Sequence, residues 1–391
     1  MQKVAFVVQR YGLEVNGGAE LHCRSIAEHM SRYWQIEVLT TCAIDYLSWS
    51  NEYKAGDETI NGIKVRRFPV KRPRNWPYFR ALSKLLSKAP DSRVLGLAWM
   101  RAQGPYSPEL IDFIKKERSG YDFFVFFTYL YCTTFFGLPL VSEKAALVPT
   151  AEDSPALRYG IFKELFGMPR AFIYNTPEEK RLLTDLYGTD RKPGEVVGVG
   201  VDFPREINGG RFRSRFGVDG DFILYIGRIT VDKGCDEMFS FFRKFKKENP
   251  GGLKLVLIGR PFMPIPEDPD IVHLGFVTEE EKFDALEASR LLLMPSPFES
   301  LSIVLLEAWL AEKPVLVNRK CDVMAGQCER SGGGLAYADY REFGRHLVDI
   351  LKDGAAQKRM GRSGKEYAKT NYGWEAIEEK YLSLFKQLGL R

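Results

Sequence analysis

Short apolar runs, most of them closed by glycine, proline or asparagine, recur along the chain and alternate with stretches of helical spacing. In the first half they fall at residues 4–8, 36–41, 63–68, 123–127, 146–149, 171–175 and 196–199. In the second half they fall at 222–226, 255–258, 271–274, 291–294 and 314–318. The run at 4–8 is apolar throughout rather than alternating, which is how a strand reads when both faces are buried in a parallel sheet. Strand, loop and helix repeating in this order predicts an α/β fold with two Rossmann-like, doubly wound parallel-sheet domains. A glycine- and charge-bearing stretch at 203–210 sets the boundary near residue 200. The expected division is 1–199, 200–372 and a terminal helix at 373–391.

Several local signals refine this picture. Asn61-Gly62 marks a turn before the run at 63–68. Thr176-Pro-Glu-Glu179 and Thr278-Glu-Glu-Glu281 each read as a capped helix start. Residues 321–334, ending in Ser-Gly-Gly-Gly, read as a loop. Residues 123–141 carry no charge, but Thr128, Thr133, Thr134, Gly137 and Pro139 interrupt them, so a buried strand, a loop and a helix start fit better than a membrane span. Residues 70–104 are basic and amphipathic. Lys71, Arg72, Arg74, Arg80, Lys84, Lys88, Arg93 and Arg101 are interleaved with Trp76, Tyr78, Phe79, Leu82, Leu85, Leu86 and Trp99. Such a helix either packs with its cations solvated or rests on anionic lipid or an acidic acceptor.

Composition narrows the class without naming a chemistry. With 391 residues, 45% apolar and 27% charged, the chain suits a two-domain globular protein, and a net charge of +5 is no argument for nucleic acid. The six cysteines show no zinc spacing and read as free thiols of a reducing cytosol. The apolar run near Met1 is too short for a signal-peptide core. The expected setting is cytoplasmic, with peripheral contact at an inner membrane face through residues 70–104.

The chemistry concentrates in residues 295–314, which read as a turn and a buried apolar helix with two acids, Glu299 in the turn at the helix start and Glu307 about two turns in. Spaced along a helix these would lie about 12 Å apart. The free amides near Ser300, Leu301 and Ser302 would accept an anion. A second cluster is Gly227-Arg228-x4-Lys233-Gly234, whose cations flank a loop at a strand end. Gly17-Gly18, after the run at 4–8, and Gly259, after the run at 255–258, are positions where a ligand could approach the backbone. Glu152 and Asp153 follow the run at 146–149, where α/β sheets bind ligands, though helix capping explains them equally well.

Glu299-x7-Glu307, bounded by a Pro-Ser turn and Lys-Pro-Val-Leu, resembles the signature of the GT-B retaining glycosyltransferases, the GT4-like group 1 family. The resemblance is specific in the C-terminal half, and in the N-terminal half it rests on architecture and the Gly-Gly loop. It implies two Rossmann-like domains facing a central cleft, the first on the acceptor side and the second on the donor side. The implied activity is retaining, metal-independent transfer of a hexosyl unit from a nucleotide-sugar, such as UDP- or GDP-hexose, to a saccharide, lipid-linked or small-molecule acceptor. No cofactor is required. By that resemblance Glu299 contacts the donor sugar and Glu307 holds the ribose. Arg228 and Lys233 clamp the diphosphate, and the base is held near Val277. Gly17-Gly18 reaches toward donor phosphates or acceptor. Many members carry a histidine where this chain has Glu152, so Glu152 or Asp153 takes over that contact or the chemistry differs. A nucleotide-sugar epimerase on the same fold and a degenerate sugar-nucleotide-binding protein are the rival readings.

Overall fold

The computed structural model describes residues 1–15 and 17–390. Asn16 of the first glycine-bearing loop lies outside them. The chain forms two compact units. One is Met1–Gly200 with Trp374–Arg391, and the other is Val201–Gly373.

The first unit is built on an eight-stranded sheet. Its strands are β1 (Lys3–Val8), β2 (Gln35–Thr41), β3 (Gly56–Ile60), β4 (Ile63–Phe68), β5 (Phe123–Phe127), β6 (Ala145–Val148), β7 (Ala171–Tyr174) and β8 (Gly194–Val196). Their order is β3-β4-β2-β1-β5-β6-β7-β8. All neighbours are parallel except β3 and β4, which form an antiparallel hairpin through the Asn61-Gly62 turn. The exposed edge strand β3 was silent in the sequence because Gly-Asp-Glu-Thr-Ile has no apolar run to announce it. The central strand β5 has no exposed residue, as a parallel strand covered on both faces requires.

The second unit is built on a six-stranded parallel sheet. Its strands are β9 (Phe222–Ile226), β10 (Lys254–Ile258), β11 (Ile271–His273), β12 (Leu291–Met294), β13 (Val315–Asn318) and β14 (Gly334–Tyr337), in the order β11-β10-β9-β12-β13-β14. From β9 the chain winds outward to β10 and β11, then returns to β12 on the other side of β9. The β9/β12 junction is thus the topological switch point, the place where open α/β sheets leave a crevice at their carboxyl ends. In the first unit the same reversal falls between β1 and β5.

Three expectations need correction. Residues 321–334 are not a loop. Asp322–Ser331 is a helix whose buried positions Val323, Met324, Gln327, Cys328 and Ser331 share one face. Residues 70–104 are two helices, Trp76–Leu86 and Arg93–Gln103, capped by Asn75 and Ser92 and separated at Pro90. The third concerns the Glu299–Glu307 element. Its helix is Ile303–Leu310: Glu299 precedes it in a turn, as expected, but Glu307 lies about one turn in rather than two. Residues 123–141 divide into β5 and a short helix, Cys132–Gly137, and no helix among the described residues is long and apolar enough to cross a membrane.

Candidate functional site

In the second unit the loops after β9, β10, β11 and β12 all leave the carboxyl edge of one sheet. The loop after β9 holds Gly227, Arg228, Lys233 and Gly234. Its glycines are required by contact as well as by backbone geometry. Gly259, at φ 134°, would place a Cβ 2.0 Å from the Gly227 carbonyl oxygen. Gly234, at φ 72°, would place one 2.4 Å from the Pro295 carbonyl oxygen. The β9 loop therefore lies backbone to backbone against both the β10 and the β12 loops. Tyr225 fixes the turn from below, donating its hydroxyl to the Arg228 carbonyl at 2.6 Å and leaving the Arg228 side chain exposed.

That packing brings Lys233 to Glu299. The Lys233 ammonium donates to Glu299 Oε1 at 2.6 Å, and each side chain is about one-fifth exposed. The pair straddles the switch point, one member after β9 and the other after β12. Next comes Ser302, a non-glycine residue at φ 66° with its hydroxyl buried and without a partner among the described residues. A left-handed serine costs of order 1–3 kcal/mol and is kept only where its surroundings hold it. Here Gln327 donates to the preceding Leu301 carbonyl at 2.9 Å, and Ser302 then starts the Ile303–Leu310 helix. The helix begins at the carboxyl edge of the sheet, the edge that also carries Lys233, and the Leu305 amide there donates to the Ser302 carbonyl at 3.2 Å. Ser300 is half-buried between the two acids in sequence, and Val277 is half-buried in the loop after β11, where Gly259 donates its amide to the Gly275 carbonyl at 2.8 Å.

Glu307 does not lie on an open surface. It is 4% exposed, and its Oε1 accepts from the Lys282 ammonium at 2.7 Å. Its Oε2 is buried with no partner among the described residues. Burial pushes the Glu307 carboxyl above the usual carboxylate range, and Lys282 opposes that shift. Lys282 itself is raised: burial would lower it, but Glu307 and Glu279 together outweigh burial. Sequence reasoning missed Lys282, because a lysine after three glutamates at a helix start reads as a solvated charge. Its partner lies on another helix, and nothing local announces it.

In the first unit Gly17 and Gly18 open the Gly18–Met30 helix. A Cβ on Gly17 would meet Glu20 Oε2 at 2.2 Å and an Arg10 terminal nitrogen at 3.0 Å. Arg10 and Glu20 are buried, and Glu20 Oε1 accepts from Arg10 Nε and from Gln9 Nε2, both at 2.8 Å. The Gly-Gly turn thus lies over an internally neutralised pair rather than over a free cation. Glu152 is half-buried after β6, and Asp153 is exposed and ion-paired to Arg158. Neither caps a helix; the segment continues into a short 3-10 turn, Pro155–Arg158. The loop is held from beneath by Glu179, a second residue missed as a site element. Glu179 is fully buried and accepts the backbone amides of Ala151 and Asn175, each at 2.5 Å, so it ties the ends of β6 and β7 together. Burial pushes its carboxyl up to about 8, against the two amides, which favour the carboxylate.

Asp268-Pro-Asp270, two acids one residue apart just before β11, lies apart from this geometry. Asp268 pairs with Arg243 at 3.3 Å and Asp270 with Lys246 at 3.0 Å.

Two Rossmann-like units, each with its candidate loops at the strand ends around a switch point, define the GT-B architecture. Residues 220–353 match the family model "Glycosyl transferases group 1". A D-inositol 3-phosphate glycosyltransferase of Kineococcus radiotolerans is 28% identical over 276 residues, covering 63% of this chain and 63% of that protein. An uncharacterized glycosyltransferase of Methanocaldococcus jannaschii is 22% identical over 98% of both chains. The Anabaena HepE structure in complex with UDP and glucose superposes with a TM-score of 0.73 at 15% identity, covering 99% of this chain and 100% of that one. The family match lies within the second unit, and the chain as a whole has the GT-B fold.

Proposed function

We propose that the protein transfers a hexosyl unit, with retention, from a nucleoside-diphosphate sugar to a saccharide, lipid-linked or small-molecule acceptor. The observation that carries this reading is the Lys233–Glu299 pair at the switch point, beside the first turn of Ile303–Leu310 and one turn from buried Glu307. Cation, helix start and buried acid are the groups that a diphosphate and a ribose would use. Lys233, Arg228 and the amides of the helix start would offset charge as the bond between the anomeric carbon and the diphosphate breaks. Glu299 would orient the sugar, and Glu307 would accept from the ribose. The acceptor oxygen would bond to the anomeric carbon on the face the diphosphate leaves, passing its proton to a phosphate oxygen. These cations would do the work of a metal ion, so no metal is assigned. Gly259 and the Val277 backbone would lie against the base. Gly17, Gly18, Glu152 and Asp153 would serve the acceptor side.

The test is incubation with UDP-, GDP- and ADP-sugars, with and without candidate acceptors, following nucleotide release and the configuration of the new linkage by NMR. Transfer with inverted configuration would end the retaining assignment. Absence of both release and binding across the panel would end the donor-site assignment.

A peripheral membrane role is a second reading, favoured by the exposed side of Trp76–Leu86. Tyr78 and Leu85 are about half exposed there, beside exposed Arg80, Lys84 and Lys88. Arg74 does not take part. It is sandwiched by Trp49, Trp76 and Phe79 within 5.2 Å and bonds to the Gln103 carbonyl, and burial lowers it to about 10.

A further inference from the structure

The Glu279–Ala288 helix places one lysine between two acids. Lys282 donates to Glu307 Oε1 and to Glu279 Oε2, both at 2.7 Å. Glu307 and Lys282 are buried, whereas the Glu279 side chain is 80% exposed. Two short bonds, one to each side, fix the position of the ammonium. Of the Glu307 carboxylate they consume one oxygen, and Oε2 is left buried with no partner among the described residues. An orphaned carboxylate oxygen in a dry setting is costly unless a donor arrives. A carboxylate alone in that setting would take up a proton and become a donor where an acceptor is needed.

We propose that Lys282 is a positioning residue for nucleotide binding: by occupying Glu307 Oε1, it keeps Glu307 an acceptor and presents Oε2 to a ribose hydroxyl. This rests on the donor-site reading above. It accounts for a buried lysine and for the unused oxygen. Glu279 acts at the rim, holding the lysine in place.

The experiment uses calorimetric titration of the full chain with UDP, GDP and ADP. The tightest binder is then compared with its 2′-deoxy and 3′-deoxy forms. The unsubstituted protein should prefer the ribonucleotide over at least one deoxy form by about ten-fold or more, the worth of one bond to a charged acceptor. Lys282→Met should erase most of that preference while leaving affinity for that deoxy form within about two-fold. The lost preference should return as pH is raised and Glu307 ionises, and Lys282→Arg should restore it. An unchanged preference in a folded Lys282→Met protein overturns the proposal, as does an equal loss for ribo and deoxy forms, the mark of a purely structural ion pair. Because Lys282→Met leaves a buried acid uncompensated, the comparison is repeated against Glu307→Gln. Lys282→Met added to Glu307→Gln should not move the ratio further; a further change would mean the lysine acts by another route, and would also overturn the proposal. An unsubstituted protein that binds none of the three nucleotides removes the donor site and this proposal together. One whose ribose preference survives Lys282→Met removes only the role of the lysine.

Discussion

Lys233 Nζ lies 2.6 Å from Glu299 Oε1, so the cation facing the switch point is already held by an acid. A diphosphate arriving there must compete with Glu299 for the same ammonium. Glu299→Gln removes the competitor. Diphosphate affinity should therefore stay constant or rise by up to about 1 kcal/mol, while sugar transfer falls by about two orders of magnitude because the sugar loses its charged contact. Lys233→Ala and Arg228→Ala should instead each weaken diphosphate binding by about 1–3 kcal/mol. Titration calorimetry alongside a turnover assay separates the two effects. A Glu299→Gln protein that binds diphosphate markedly less well would contradict the competition.

Legibility of the site in the sequence followed the range of the interactions. The strands were readable because apolar runs buried on both faces need no partner to be recognised. Lys233 and Glu299, which lie 66 residues apart, were found as two separate motifs. The resemblance put both at the donor, but their direct contact, which goes with the close approach of Gly234 to the Pro295 carbonyl, was not legible, because a glycine does not say what it packs against. Glu179 was read as the acid of a capping box. Thr176 does accept its amide, but the carboxyl reaches Ala151, 28 residues earlier. The helix at Asp322–Ser331 was missed because the glycines that end it outweighed its buried face. Glu299 was expected in the turn at the helix start, as found, but Glu307 was expected about two turns in. The left-handed Ser302 starts that helix later, and no propensity foretells a serine at φ 66°.

Stability should plateau in mildly acidic solution and fall on both sides. Burial holds His22 neutral and lowers it to about 3. Its contribution is present above its unfolded value of about 6.5 and is lost as pH falls from there toward 3. Burial raises Glu179 to about 8, so its contribution is complete below about 4.5 and is lost as pH rises through 8. Between about 4.5 and 6.5 the two slopes cancel. From pH 6.5 to 8 Glu179 goes on titrating after His22 has finished, and its share of the fall should be roughly 2 kcal/mol. Urea unfolding at several pH values should show this fall in the unsubstituted protein and its absence in Glu179→Gln. An equally steep fall in Glu179→Gln would assign it to another group.

The exposed side of Trp76–Leu86 should bind anionic vesicles if its cations and apolar residues act together. Each lysine or arginine near such a surface contributes about 1 kcal/mol. Arg80→Glu with Lys84→Glu should therefore reduce co-sedimentation with phosphatidylglycerol vesicles by more than ten-fold, and raised salt should do the same to the unsubstituted protein. Equal sedimentation of both proteins, or no dependence on salt, would leave this face as a solvated helix surface.

Gly259 offers the sharpest test of the backbone-to-backbone packing beneath the candidate donor site. At φ 134° an L side chain is strained, and its Cβ would stand 2.0 Å from the Gly227 carbonyl oxygen. That oxygen belongs to main chain and cannot rotate away, so β9 and β10 must separate at their carboxyl ends. Gly259→Ala should cost about 2 kcal/mol or more in stability. It should also weaken nucleotide binding, because Arg228 and the base-side loop shift with Gly227. Gly18 is the fitting control. It also lies in a glycine turn, yet a Cβ there meets nothing within 4 Å, so Gly18→Ala should leave the melting temperature nearly unchanged. If the two variants melt together, the close approach of Gly259 to Gly227 is not what holds these loops.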